Sequence, residues 1–320
     1  MTTSTLRSFA LAAFLAPALM LAACGVLDGK AERHLVTTEP APASLEISSR
    51  FCDVTLGVAT TNEVAIDASV FLETSGGNET AEREIEFVNV FVKRDGDKLI
   101  VRQGEEGQNW SFKGSYSGRG KIVVNVPANV PVSVSTASGD VTAKGDFGAI
   151  NATFASASGD MSLRDIGLGS LTVRTASGDA TIKTLRPVTT LNWAAASGDL
   201  QFAGGASTTR AESASGDIHI EGVTGDFTGS AASGDLFVAF LPNAAFLNPG
   251  TRLKASTASG DVTFVVPADV NPGGTISTAS GSISLAPGMA ADVARRNATL
   301  KGANATVEIS TASGDVTLKR

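Results

Sequence analysis

From Ser138 onward nine Ser-Gly pairs recur at nearly regular intervals, and eight of them are followed by a carboxylate. These are Asp140, Asp160, Asp179, Asp199, Asp217, Asp235, Asp261 and Asp315, with Ser282 in the equivalent place at the remaining pair. If the repeats stack, the side chains form a column spaced ~4.8 Å apart, where adjacent carboxylates repel by about 1 kcal/mol even in water. Backbone amides can offset that repulsion in Asx-type turns, and so can calcium, which takes several oxygen ligands. Calcium-binding nonapeptide repeats are much richer in glycine and shorter in period, so turn-capping is the reading the pattern favours, with calcium at the column as the alternative. Repetition alone supplies many carboxylate pairs, and pairing is therefore no sign of acid–base catalysis.

The elements that must position the column follow from the glycines. They fall at Gly139, Gly159, Gly178, Gly198, Gly216, Gly234, Gly260, Gly281 and Gly314, with spacings of 20, 19, 20, 18, 18, 26, 21 and 33 residues, the period of a solenoid. Two and four residues after each glycine the chain is apolar, as in Val141/Ala143, Met161/Leu163 and Val316/Leu318. Seven and five residues before it a second pair recurs, as in Val132/Val134 and Leu191/Trp193, weakening to Thr209/Ala211 and Phe227/Gly229. Each coil thus reads as a strand, a tight corner, a second strand and a looser return such as Lys144-Gly145-Asp146-Phe147. The fold class expected is all-β, a parallel β-solenoid of roughly 18–20-residue coils with Ser-Gly-Asp corners. Glycine is expected at the corner because it tolerates positive φ.

The 320 residues carry a formal net charge of −7, which argues against a nucleic-acid binder. Residues 1–23 combine Arg7, an apolar run from Phe9 to Leu21 and Leu21-Ala22-Ala23-Cys24, which looks like a bacterial lipoprotein signal with Cys24 as the lipidated residue. Gly25 in place of Asp favours the outer membrane where the host has one. Residues 24–43 read as a tether in which His34 is solvated, 44–126 as an N-terminal β region, and 127–320 as the repeat solenoid. Within 44–126, Ile47 to Leu56 reads as a degenerate first coil, Glu63 to Leu72 and Glu84 to Val92 alternate in part, and Asp95-Gly96 marks a hairpin. The longer spacings reflect insertions at Pro242 to Gly250 and Pro287 to Asn304, the latter with a short helix expected near Met289 to Leu300.

Few other residues invite chemistry. Trp110, Phe112 and Tyr116 lie in a long polar loop and are candidates for a ligand-binding surface, or for a cap over the open end of the stack. Cys52, the second of only two cysteines, reads as buried and apolar. His219 sits at a polar strand position and points to solvent. No nucleotide loop or nucleophile motif is present, so no catalytic residues and no metal ligands are assigned.

With the corners in view, Val126-Pro127-Ala128-Asn129-Val130-Pro131-Val132-Ser133-Val134-Ser135-Thr136-Ala137-Ser138-Gly139-Asp140-Val141 resembles the bacterial β-strand-repeat proteins of the putative-adhesin family, a domain of unknown function. The resemblance runs from about Leu45 to Arg320 and implies a β-solenoid on an envelope protein. It departs at Phe51-Cys52, where a Ser-Gly corner would stand, and at Ser282. Together these readings point to a lipid-anchored, non-enzymatic module of the cell envelope, attached to the membrane through its N-terminal lipid and binding an envelope protein or glycan. A polysaccharide-acting β-helix and an envelope-stress or assembly factor docking a membrane partner stand as alternatives.

Overall fold

The structure is a computed structural model that describes residues 27–104, 114–241 and 250–320. Among the described residues it is all-β apart from the helix Gly77–Ile85, and the strands join into one large solenoid-like sheet system. Each coil contributes a strand leading into its corner and a strand leaving it. Lead-in strands pair parallel with one another, as Asn151–Ser156 does with both Val132–Thr136 and Ser170–Thr175. Exit strands do the same, as Met161–Gly167 does with Val141–Asp146 and Ala180–Thr184.

Strand period decides what enters the core. In Val132–Thr136 every second residue is buried, and the apolar pairs on either side of the corners line a single contiguous core. The weakened pair Phe227/Gly229 is compensated within itself, because a side chain at Gly229 would run into the Phe227 ring, which fills that space. Phe227 and Phe240 both meet Phe264 edge-on, at centroid separations of 5.6 and 6.0 Å. From Leu200 onward the chain bends instead of breaking. Leu200–Ser215 and Ile218–Ser233 each run from the exit strand of one coil into the lead-in strand of the next, through Gly204, Gly205 and Gly222 at φ 129°, 104° and 94°.

At both ends the order of layers departs from the order of the chain. The Gly314 coil lies between the Gly260 and Gly281 coils, so Arg252–Ser259 pairs with Thr306–Ser313, which pairs with Gly273–Thr278. The Gly281 coil is therefore outermost, and its lead-in edge is covered by an antiparallel hairpin, Ala291–Ala294 with Asn297–Lys301. That hairpin stands where a short helix was expected near Met289 to Leu300. At the other end the Cys52 coil, Ser44–Ser49 and Asp53–Val58, stacks directly on the Gly139 coil. Outside it lie Lys98–Gln103 and Tyr116–Val126, reached by the antiparallel hairpin of Val90–Asp95 with Lys98–Gln103, whose turn places Gly96 at φ 57°.

Two further expectations are corrected here. Much of the segment read as a tether is a strand: Gly29–Pro40 pairs antiparallel with Glu63–Thr74 along its whole length, and Glu63–Thr74 in turn pairs with Tyr116–Val126. Its polar residues gave little sign of burial, but cross-strand hydrogen bonds and the bond from Arg33 Nε to Glu86 hold it in place. Glu84 to Val92 is not one strand. The helix ends at Ile85, with Ala81 and Ile85 buried four residues apart, and the strand begins only at Val90.

Candidate functional site

The carboxylate column is a hydrogen-bond ladder with a direction. The amide of Asp140 donates to Oδ1 of Asp53 at 2.9 Å, that of Asp160 to Asp140 at 2.9 Å, and that of Asp179 to Asp160 at 2.9 Å. The same bond links Asp199 to Asp179, Asp217 to Asp199, Asp235 to Asp217, Asp261 to Asp235 and Asp315 to Asp261, at 2.7–2.9 Å. The last step is the amide of Ser282 donating to Asp315 at 2.8 Å. Each aspartate thus accepts from the coil stacked on it, not from its own turn, which is how neighbouring carboxylates at strand spacing are tolerated. Ser282 sits in the outermost layer, where no coil beyond requires an acceptor, and this accounts for the missing carboxylate. Its hydroxyl also turns back to Asp315, and the two donors hold the Asp315 carboxyl below its ordinary value.

The corner glycines have a different origin from the one expected. Only Gly234 and Gly260 have positive φ, at 154° and 159°, close to extended backbone. What every corner shares is contact between stacked main chains. A β-carbon on Gly159 would lie 2.1 Å from the carbonyl oxygen of Gly139, and Gly178, Gly198, Gly216, Gly234, Gly260, Gly314 and Gly281 repeat the arrangement in stacking order at 2.0–2.3 Å. At three successive corners a hydroxyl three residues earlier also closes the turn: Thr136, Ser156 and Thr175 accept from the amides of Gly139, Gly159 and Gly178 at 2.7–2.9 Å.

The Phe51-Cys52 departure has a matching cause. The corner of that coil faces Tyr116–Val126, and a side chain at Gly118 or Gly120 would collide with the Phe51 ring or with Cys52 Sγ. Those two glycines leave the room that Phe51 and Cys52 fill. Gln103 Oε1 serves the same corner, accepting from the amides of Arg50 and Phe51 at 2.9 and 3.1 Å and from Ser49 Oγ at 3.1 Å. Burial, against a smaller opposing bond from Ser49, pushes the Cys52 thiol up to about 12, so it is an inert core residue.

The remaining sequence candidates divide. Tyr116 opens its strand and is 47% exposed, while Trp110, Phe112 and Cys24 lie outside the described residues. His219 faces outward, stacked on Phe237 at 4.3 Å and 3.1 Å from Glu221. Among the described residues no group of three or more His, Cys, Asp or Glu is disposed to hold a metal ion, and no helix is long and apolar enough to cross a membrane. A shallow open depression runs along the exit-strand face, lined by Asp140, Asp160, Asp179, Thr142, Ser162, Thr181 and Arg164.

A family model described as Toastrack DUF4097 matches residues 43–319. The chain belongs to this family. Toastrack membership agrees with the resemblance to putative adhesins read from the repeat phrase. Among solved structures, a putative adhesin from Parabacteroides merdae is 11% identical, with 91% of this chain and 97% of that one covered and a TM-score of 0.50, a likeness of fold. A putative lipid binding protein from Parabacteroides distasonis is 10% identical, with 91% and 97% covered and a TM-score of 0.47. A putative adhesin from Bacteroides fragilis is 12% identical, with 90% and 96% covered and a TM-score of 0.38. No curated protein matches the chain.

The Toastrack stack also carries a feature that the sequence reading passed over. Lys144, Arg164 and Lys183 each stand five residues after a corner glycine, in three consecutive coils, and a comparison of that position across repeats would have found them. They are direct neighbours in register on the exposed face of the exit strands.

Proposed function

We propose that this chain is a lipid-anchored module of the cell envelope, a parallel β-solenoid on Ser-Gly-Asp corners that binds or organises other envelope components and performs no catalysis. The observation that carries this reading is the ladder. The most prominent file of carboxylates in the molecule accepts hydrogen bonds from the next coil, so the residues that most resemble acid–base or cation-binding chemistry hold the scaffold together. What the scaffold offers outward is long, flat, polar strand faces. The leader Leu21-Ala22-Ala23-Cys24 supports attachment through a lipid at Cys24, at the outer membrane where the host has one. Toastrack membership and the adhesin-like fold neighbour accord with a binding or structural role.

Fractionation of cells carrying Cys24→Ala tests the anchor: the wild-type chain should partition with membranes and the variant should not. Capture of envelope protein or glycan by the full chain, compared with a variant replacing Trp110, Phe112 and Tyr116, tests the binding loop. Membrane retention of the Cys24 variant would end the anchoring claim, and unchanged capture by the triple variant would move binding away from that loop.

A further inference from the structure

Lys144, Arg164 and Lys183 form a straight cationic row on an acidic protein. Arg164 is the register partner of Lys144 on one side and of Lys183 on the other, so the three charges follow the solenoid axis at strand spacing, about 4.8 Å apart. Both lysines are largely exposed, at 75% and 67%. A row of hydroxyls, Thr142, Ser162 and Thr181, runs parallel to it two residues back along the same strands and floors the depression. Lined up cations would repel, and the fold inserts one counter-charge. A bulge in the Met161–Gly167 strand sets Asp165 at φ 52° and brings its carboxylate 4.0 Å from Lys144 and 3.9 Å from Lys183. Next to the row, Arg186 is already bound to both carboxylate oxygens of Asp146 at 2.6 and 2.8 Å.

We infer that this strip binds a linear acidic polysaccharide lying along the solenoid axis. The cations would pair with its carboxylates and the hydroxyl row with its sugar hydroxyls. The shape of the charge distribution favours a chain over a bilayer. The aspartate column occupies the same face roughly 13 Å from the cations along the strands and borders the hydroxyl row, so an anionic membrane laid on the face covers both columns in full, whereas a single polymer chain centred on the cations meets the aspartates along one side only. The inference rests on the binding role proposed above and is independent of the lipid anchor and of the aromatic loop.

The test uses the full-length protein, with polygalacturonate as probe, dextran as the neutral polymer and phosphatidylglycerol vesicles as the anionic membrane. Polygalacturonate should bind in a salt-sensitive manner and dextran should not. Lys144→Ala with Lys183→Ala should weaken binding about tenfold, and Asp165→Asn, which removes the counter-charge, should tighten it several-fold. The two variants shift affinity in opposite directions, which a general loss of folding cannot do, and thermal melts of both confirm the fold. Equal binding of dextran, an unmoved affinity in either variant, or a stronger dependence of vesicle binding than polygalacturonate binding on the same lysines overturns the inference. Capture of an envelope component by the full chain together with no salt-sensitive polygalacturonate binding would overturn this inference alone, whereas no capture of any envelope component would end the binding role it rests on, so the two failures are distinguishable.

Discussion

Replacing Gly178 by alanine separates two explanations of the corner by the sign of the effect. Gly178 is not at positive φ, and at such a position exchanging glycine for alanine ordinarily stabilises a protein by about 0.4–1 kcal/mol, through the entropy of the unfolded chain. The stacked geometry predicts the reverse. The added carbon would lie 2.1 Å from the carbonyl oxygen and 2.7 Å from the carbonyl carbon of Gly159, both main-chain atoms that cannot rotate away. Relieving the overlap means parting the two corners by roughly an ångström, because closer approaches are repulsive. That separation breaks the bond from the Asp179 amide to Asp160, now 2.9 Å, and stretches the bond from the Ser177 amide to the Ala157 carbonyl, now 3.0 Å. At about 1 kcal/mol for each hydrogen bond, with the packing lost around them, the loss is ~2–3 kcal/mol, and the net destabilisation after the entropic gain is ~1–2 kcal/mol. Urea unfolding followed by circular dichroism reads it directly. An unchanged or raised midpoint for Gly178→Ala would show that the corner is not built on main-chain contact.

Other perturbations test other parts of the stack. Asp315 is held below its ordinary 3.8 by the amide and hydroxyl of Ser282, so its stabilising effect is complete above that value and is lost as pH falls through the lower folded value. Ser282→Ala should therefore lower the urea midpoint at neutral pH and converge with the wild type in strong acid; a gap that stays constant with pH counts against this. The Cys52 thiol, pushed up to about 12 by burial, should resist alkylation in the folded Cys24→Ser chain and react once urea unfolds it, and rapid modification under native conditions would contradict the packing. Gln103→Leu removes an acceptor that serves the amides of Arg50 and Phe51, and should cost ~2–3 kcal/mol in urea unfolding, a value an undiminished midpoint would refute.

The repeat was legible because it rests on local chemistry. Small residues at the corner and apolar residues on alternate positions each follow from a requirement within one coil and its neighbour. What the repeat hides is which neighbour. The Gly260, Gly281 and Gly314 corners carry nearly the same phrase, so the phrase does not say which stacks on which; the Gly281 coil is outermost, its lead-in edge covered by the hairpin Ala291–Ala294 and Asn297–Lys301, whose sequence looked helical. Gly29–Pro40 was missed for a related reason: its partner Glu63–Thr74 is remote in sequence, and every second residue of it is exposed. Ser282 looked like a lapse until its layer was known. The cationic row was visible in principle, but only to a reading that compares the outward positions of successive coils as closely as the inward ones.

The inverted order of the last layers has a consequence for how the chain is assembled in time. Residues of the Gly281 coil leave the ribosome before those of the Gly314 coil, yet their place is one layer farther out. A stack that grew by adding each new coil to the end of the last would seat the Gly281 coil directly on the Gly260 coil and put the final strands outermost, the reverse of the order found. To reach the native arrangement, the earlier coil must wait undocked or come off again, leaving a slot one strand wide, about 4.8 Å, for the later one. Folding at this end therefore cannot be a one-way zipper even though the architecture is one-dimensional, and a slow final phase confined to the last coils is the kinetic trace it should leave.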